Sequence, residues 1–129
     1  MTKLPENPVG TAALNEVRRY GADTSKVVIG GSRLGIYFFE KGTDIRPTNV
    51  VYDREGSALA LAKPEEFHWD EILKDTDIFY FSGVTPAVSE NIAKAVLEAL
   101  KYCKAHGIET VCDLNYRSKM WDTKRHSQL

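Results

Sequence analysis

Cysteines and long apolar runs are scarce in this chain. Its 129 residues include two cysteines, Cys103 and Cys112, and their positions in a predicted helix and a predicted strand favour two buried reduced thiols over a disulfide. No apolar run approaches the roughly 18 residues that a membrane-spanning helix needs, and the first residues contain no apolar signal core. We therefore expect a cytoplasmic protein without a membrane partner.

Neither sign of charge is in excess. The chain has 17 Lys and Arg residues against 18 Asp and Glu residues, a formal net charge of −1. A nucleic-acid-binding protein usually carries a basic surplus or stripe, so we expect no nucleic-acid partner, whereas a small anionic ligand requires only a few local cations. Hydrophobic residues make up 43% of the chain, which is enough for one globular domain to bury a core.

Several ligand-binding signatures are missing from the sequence. The histidines have no paired spacing that suits a metal ion, so we predict no metal site. No Gly-x-Gly-x-x-Gly occurs. The pair Gly30-Gly31 is followed neither by Lys-Ser/Thr nor by a helix, so it predicts a hairpin turn rather than a phosphate loop.

The periodicity that is present indicates an α/β chain. A first helix is predicted after Asn7-Pro8, which can cap and start it, and Gly21 ends it. No strand is predicted before this helix. A short helix is predicted from Pro64. Further on, strand 77–81, a helix capped by Ser89 and strand 108–113 form a βαβ unit, whose strands we expect to be parallel.

Residues 26–62 have a different pattern. Short strands at 26–29, 34–40 and 49–53, joined by tight turns, predict an antiparallel flap, or β-lid, on a partial α/β core formed by residues 1–25 and 63–129. Alternate residues of the strand 34–40 are apolar or aromatic on both faces. We therefore expect one face to cover a ligand and the other to contact a partner chain.

Polar residues follow two of the predicted strands. They are Ser82-Gly83-Val84 and Asp113–Arg117, and in an open parallel sheet ligands bind at the carboxyl ends of strands. Arg117 is either a cation for a carboxylate or phosphate, or a surface arginine paired with a loop acid. On the flap, Tyr37 and Arg54 are either lid contacts to an anionic, hydroxylated ligand, or a packing tyrosine and a solvated arginine.

Taken in order, these segments resemble the PfkB (ribokinase-like) carbohydrate kinases, and most of all the 2-keto-3-deoxygluconate kinase branch. The resemblance holds to about Thr123. The segments that carry it are Asn7–Gly10, Arg19–Ser25, Leu34–Gly42, Val51–Ala58, Ser82–Ala87 and Asp113–Arg117.

The resemblance implies a Rossmann-like αβα sandwich of the ribokinase-like type with an antiparallel β-lid, here incomplete. It implies transfer of the γ-phosphoryl group of ATP, with Mg²⁺, to 2-keto-3-deoxygluconate, and a homodimer formed through the lid. Phe39 is a departure, because some members place an arginine there, so a PfkB kinase for fructose or ribose stays open. Carried over residue by residue, the substrate contacts are Tyr37, Arg54, Val84 and Arg117, and the nucleotide or phosphate contacts are Asn115 and Arg117.

The resemblance also shows what the sequence lacks. The N-terminal Gly-Gly sugar motif and the C-terminal Gly-x-Gly-Asp motif, with its catalytic aspartate, are not in the chain, so no catalytic residue is assigned. We expect this polypeptide alone not to turn over substrate. It is interpreted as the central part of a kinase, either a truncated product or an excerpt of a longer chain, and the alternative is a non-catalytic sugar-binding or dimerising fragment.

Overall fold

The computed structural model describes residues 1–115. The chain divides into two compact units after Leu61. The first unit contains β1 (Lys3–Leu4), α1 (Pro8–Arg19), β2 (Val28–Ile29), β3 (Ile36–Glu40) and β4 (Asn49–Asp53). The second contains a 3-10 turn (Pro64–Glu66), α2 (Trp69–Ile72), β5 (Ile78–Ser82), α3 (Glu90–His106) and β6 (Glu109–Asp113).

A short strand precedes the first helix, which corrects the prediction that none does. β1 pairs in parallel with β2, and α1 connects them. A two-residue strand is too short for its hydrophobic pattern to be recognised in the sequence. Asn7 caps α1 as predicted, since its side-chain oxygen accepts from the Gly10 amide at 3.0 Å.

The pair Gly30-Gly31 does not form the predicted hairpin turn. The Gly30 amide donates to the Leu4 carbonyl at 2.9 Å, which extends the pairing of β1 with β2, and Gly31 has a φ of 83° that favours glycine. The antiparallel element is therefore smaller than the predicted flap 26–62. Its two strands are β3 and β4, and the earlier strand of that segment pairs with β1 instead.

β3 and β4 pair in antiparallel register, with Ile36 opposite Asp53 and Tyr37 opposite Tyr52. One face of this hairpin carries Tyr37 and Tyr52, and the other carries Phe38 and Val51, because side chains alternate along each strand. Phe38 remains 60% exposed, and Ile36 and Val51 beside it are exposed as well.

The second unit contains the predicted βαβ unit. β5 and β6 are parallel, with Ile78 opposite Glu109 and Ser82 opposite Asp113. α3 connects them, and it begins where the Ser89 hydroxyl accepts from the Ile92 amide at 3.3 Å. Gly107, at a φ of 70°, ends the helix in the left-handed conformation.

The core of the second unit is formed by the buried side of α3. Ala99 and Cys103 pack with Leu73, and Trp69 and Phe79 pack against this cluster. Trp69 belongs to α2, which is separate from the 3-10 turn at Pro64, so the single short helix predicted from Pro64 is two turns of different kinds. Burial of these apolar groups holds α2 and Leu73 against the long helix.

Both cysteines are free, as predicted, but only one is buried. Cys103 lies in the core, where burial raises the pKa of its thiol and keeps it protonated. Cys112 is exposed, because every residue of β6 is exposed in the unit described. The expectation of a second buried thiol is therefore wrong for this unit.

The division of the chain leaves one prediction untested. The boundary falls after Leu61, next to the predicted end of the lid at 62. A joint α/β core of residues 1–25 and 63–129 stays a prediction. In the part of the chain that the structure describes, every helix is too short or too polar to span a bilayer.

Candidate functional site

The ends of β5 and β6 lie side by side, as the sequence predicts. Ser82 is opposite Asp113 in the register, and the Gly83 amide donates to the Asp113 carbonyl at 2.8 Å. Asn115 follows at a φ of 38°, with its amide donating to the Asp113 carboxylate at 3.1 Å. Both segments thus place polar groups at the carboxyl edge of this strand pair, where ligands bind in parallel sheets.

A side-chain hydrogen bond joins the two strand ends. The Asn115 amide nitrogen donates to the Ser82 hydroxyl at 3.0 Å, and the Val84 amide donates to the same oxygen at 3.4 Å. A serine hydroxyl has one proton and two acceptor sites. Since both acceptor sites are used here, Ser82 can contact a further group, such as a ligand oxygen, only as a donor, whereas the Asn115 side-chain oxygen is an acceptor.

Gly83 allows the two strand ends to approach closely. A Cβ built at Gly83 would lie 3.1 Å from the carbonyl carbon of Leu114 and nearer still to its carbonyl oxygen. Only glycine fits beside that backbone. Val84, the predicted apolar substrate contact, follows directly and is half-buried in a turn closed by the Thr85 amide and the Ser82 carbonyl at 2.8 Å.

On the hairpin, Tyr37 and Arg54 belong to one aromatic and cationic cluster. The rings of Tyr37 and Tyr52 are 6.3 Å apart between centroids and tilted by 49°. The Arg54 guanidinium carbon lies 4.7 Å from the centre of the Tyr52 ring. Tyr52 and Arg54 therefore lie on a common face, and a guanidinium at this distance is attracted to the ring face.

Tyr52 is the residue of this cluster that the sequence analysis left out of its candidate list. It lies between the two residues that were chosen, opposite Tyr37 and under Arg54. The signal was available in the sequence, because Tyr52 and Arg54 are two residues apart on one strand and so share a face. Phe39 shares that face by the same alternation and is exposed.

The predicted site residues form two groups. Tyr37 and Arg54 lie in the first unit, and Val84 and Asn115 lie in the second. Arg117 lies outside the described residues. The assignment of Tyr37, Arg54, Val84 and Arg117 to the substrate, and of Asn115 and Arg117 to the nucleotide or phosphate, therefore stays a prediction. Within residues 1–115, no three His, Cys, Asp or Glu side chains are grouped so that they could hold a metal ion.

Comparison with known proteins identifies the relatives of this chain. A 2-dehydro-3-deoxygalactonokinase from Haloferax volcanii is 40% identical over 121 residues, 94% of this chain and 38% of the relative. A 5-dehydro-2-deoxygluconokinase from Geobacillus thermodenitrificans is 27% identical over 129 residues, covering 98% of this chain and 37% of that protein.

Comparison with solved structures finds the same kind of protein. The crystal structure of a 2-dehydro-3-deoxygluconokinase from Thermotoga maritima superposes with a TM-score of 0.92 at 44% identity, over 96% of this chain and 38% of that one. The chain thus spans well under half the length of the relatives that it matches, and its described part has their mixed α/β fold. The model of the pfkB family of carbohydrate kinases matches residues 1–129, and the chain belongs to that family.

Proposed function

We propose that the whole protein transfers the γ-phosphoryl group of ATP to a keto-deoxy sugar acid, with 2-keto-3-deoxygluconate as the first candidate. The observation that carries this substrate class is the cluster of Tyr37, Tyr52 and Arg54 on one face of the hairpin. The three relatives described above act, by their names, on dehydro-deoxy sugar acids. In the proposed complete fold, a Rossmann-like αβα sandwich, the hairpin acts as a lid over the substrate.

The chemistry of the cluster suits such a ligand. A phenol both donates and accepts hydrogen bonds, which fits the hydroxyl and keto oxygens of a sugar acid. A guanidinium presents donors in a planar fork that matches a carboxylate, which a neutral sugar lacks. Because Arg54 rests on the Tyr52 ring, its charge is presented from a defined position.

At the strand ends, the proposed contacts are Val84 with the carbon skeleton, and Asn115 and Arg117 with the phosphoryl side. The residues present fit the phosphate end of this reaction in part, since the Ser82 hydroxyl proton and the Asn115 amide are polar groups at the strand edge. They do not fit Mg²⁺, because the described part of the chain contains no cluster of carboxylates there.

We also propose that the second face of the hairpin is the homodimer contact. Ile36, Phe38 and Val51 form an exposed apolar strip on that face, which is costly to leave in water. Phe38→Arg should convert a dimer of the whole protein to a monomer in sedimentation experiments, while Phe39→Arg, on the opposite face, should leave the dimer intact. The absence of nucleic-acid and membrane partners and the cytoplasmic location stay predictions.

The experiment that tests the function is a substrate panel on the whole protein, after its intact mass has been measured. A coupled assay of ADP release compares 2-keto-3-deoxygluconate, 2-keto-3-deoxygalactonate and 5-keto-2-deoxygluconate with fructose and ribose. We expect the acids to be preferred, and Arg54→Ala to lower kcat/KM for the acids by roughly ten- to a hundredfold, the scale of one charged hydrogen bond. The same variant should change turnover of neutral sugars little.

Three results would contradict the proposal. If a neutral sugar is preferred by the unaltered protein, the protein is a PfkB kinase of the other kind that the sequence left open. If no sugar is phosphorylated with ATP but sugar acids bind, the non-catalytic binding alternative is correct. If sugar acids are neither phosphorylated nor bound, the Tyr37–Tyr52–Arg54 cluster has a packing role alone.

A further inference from the structure

Arg33 contacts the residues on both sides of Arg54. It lies in the loop before β3, and its guanidinium donates to the Asp53 carbonyl at 3.0 Å and to the Glu55 carbonyl. The same guanidinium forms an ion pair with the Asp53 carboxylate. One side chain thus holds three acceptors that flank Arg54 along the chain.

The register of β3 with β4 ends just before Arg54. Its last pair is Ile36 with Asp53, so Arg54 and Glu55 follow the last residue of the ladder. The Arg33 guanidinium contacts the chain at this point, on both sides of Arg54. Its planar fork of five donors suits several acceptors at once in a way that a lysine does not.

The segment after Arg54 is packed closely against the start of the hairpin. The Ser57 amide donates to the Arg54 carbonyl at 3.1 Å, and the Ala58 amide donates to the Arg33 carbonyl at 2.8 Å. Ser57 is 4% exposed. A Cβ at Gly35 would lie 3.2 Å from the Ser57 Cβ and 3.5 Å from the Arg54 Cγ, so the stem of Arg54 passes directly over Gly35.

We call these contacts the clamp. The Arg33 side chain contacts the start of the turn, at Asp53 and Glu55, and the Arg33 backbone carbonyl contacts its end, at Ala58. We propose that Arg33 is a positioning residue, which fixes the Tyr52–Arg54 pair in the arrangement that binds the sugar acid. The inference rests on the proposed function, because it concerns how the proposed ligand contacts are held. Arg33 acts through Arg54.

The clamp is partly exposed, and this determines which measurements should detect the loss of Arg33. The Arg33 and Asp53 side chains are 35% and 48% exposed, and exposed ion pairs add little to global stability. The loss of Arg33 should therefore be seen in ligand binding and in local opening of the turn, more than in the unfolding of the whole protein.

The hairpin offers a matched control. Arg46 forms an ion pair with Glu40 at 3.1 Å, at the other end of the same hairpin. Both side chains are more than half exposed. Arg46→Ala removes the same charge and the same kind of contact, but it leaves the Arg54 turn untouched.

The kinetic test is a double-mutant cycle on the whole protein, with 2-keto-3-deoxygluconate and ATP. Arg33→Ala should raise the KM for the sugar acid roughly five- to thirtyfold with little change in kcat, and Arg33→Lys should restore only part of that loss. In the Arg54→Ala background the same change should alter KM by less than about twofold, because the group that Arg33 positions is gone. Arg46→Ala should behave as the unaltered protein. Equal losses in both backgrounds, or no loss in either, would overturn the inference.

Hydrogen exchange separates this inference from the proposed function. In Arg33→Ala, the amides of Ser57 and Ala58 should exchange faster than in the unaltered protein and in Arg46→Ala, whichever substrate the protein uses. If the protein phosphorylates no sugar acid, the proposed function is contradicted. The exchange rates of the two amides would still test whether Arg33 holds the turn. Unchanged exchange at both amides would contradict the clamp itself, and Arg33→Lys provides the same measurement if the alanine variant does not fold.

Discussion

Replacing Gly83 by alanine is the sharpest perturbation of the strand-end site. The added methyl group would lie 3.1 Å from the Leu114 carbonyl carbon, 3.6 Å from the Asp113 carbonyl oxygen and nearest of all to the Leu114 carbonyl oxygen. These are backbone atoms, so no side-chain rotation can make room. The two strand ends must separate for the methyl group to fit.

The size of the effect follows from that separation. Restoring ordinary contact requires a shift of about 1 Å, and overpacking of this kind costs about 1–3 kcal/mol of the free energy of unfolding. The hydrogen bond between the Gly83 amide and the Asp113 carbonyl, 2.8 Å long, would be stretched by the same movement. A displacement of about 1 Å at a reacting centre can lower the rate roughly a hundredfold.

The assay compares Gly83→Ala with Gly107→Ala in the whole protein, by urea unfolding and by kcat/KM with the sugar acid and ATP. Gly107 has a φ of 70° and nothing within 4 Å of its missing Cβ. Alanine there strains the backbone by about 1 kcal/mol without moving the site. We expect both variants to be less stable and only Gly83→Ala to lose activity beyond tenfold. If Gly83→Ala retains its kinetics, the close approach at Leu114 is irrelevant to the site.

Three further predictions concern caps, pH and the unplaced arginine. Ser89→Ala should lower the free energy of unfolding in urea by about 0.5–2 kcal/mol, because the Ile92 amide loses its cap. The Ser25 amide and then the Ser25 hydroxyl hold the pKa of Asp23 below its ordinary value, so an NMR titration of Ser25→Ala should show a partial rise of that pKa. A carboxyl group whose pKa is lowered by folding stabilises the folded state at pH values above its pKa in the unfolded state. The unaltered protein should therefore be more stable than Ser25→Ala near neutral pH, and this difference should disappear as the pH falls through the pKa of Asp23 in the folded state. Arg117→Ala, outside the described residues, should cut kcat/KM roughly ten- to a thousandfold, and unchanged kinetics would assign Arg117 a structural role.

Elements with long periodic patterns were predicted well from the sequence. The helix that Ser89 caps, the strands on either side of it and their parallel pairing follow from spacing alone, because one α-helical crossover of this length connects parallel neighbours. The polar groups at the two strand ends were found by the same logic. The parallel pairing of β5 with β6 brings these two strand ends together.

Pairings between distant segments were harder to predict. β1 has two residues, too few for a recognisable pattern. A strand at β2 was predicted, but its partner lies on the other side of a whole helix, so the pairing was missed. The pair Gly30-Gly31 was assigned to a hairpin because its composition suits one. The strand before it, β2, pairs instead with β1, which lies earlier in the chain. Burial was also misjudged for Cys112, because a β-branched and apolar run predicts a covered strand without saying what covers it.

Two residues that hold the candidate contacts share a property that keeps them off a list of ligand contacts. Arg33 supports Arg54 from the preceding loop, and Gly83 lets its strand end approach the segment that carries Asn115. Neither needs to touch the ligand, and each acts by fixing the backbone beside a residue that is proposed to do so. Relatives that keep Tyr37, Arg54 and Asn115 can therefore differ in the sugar acid that they prefer through changes in these supporting residues. A substitution at Arg33 would alter the position of a guanidinium, while the list of ligand contacts would remain the same.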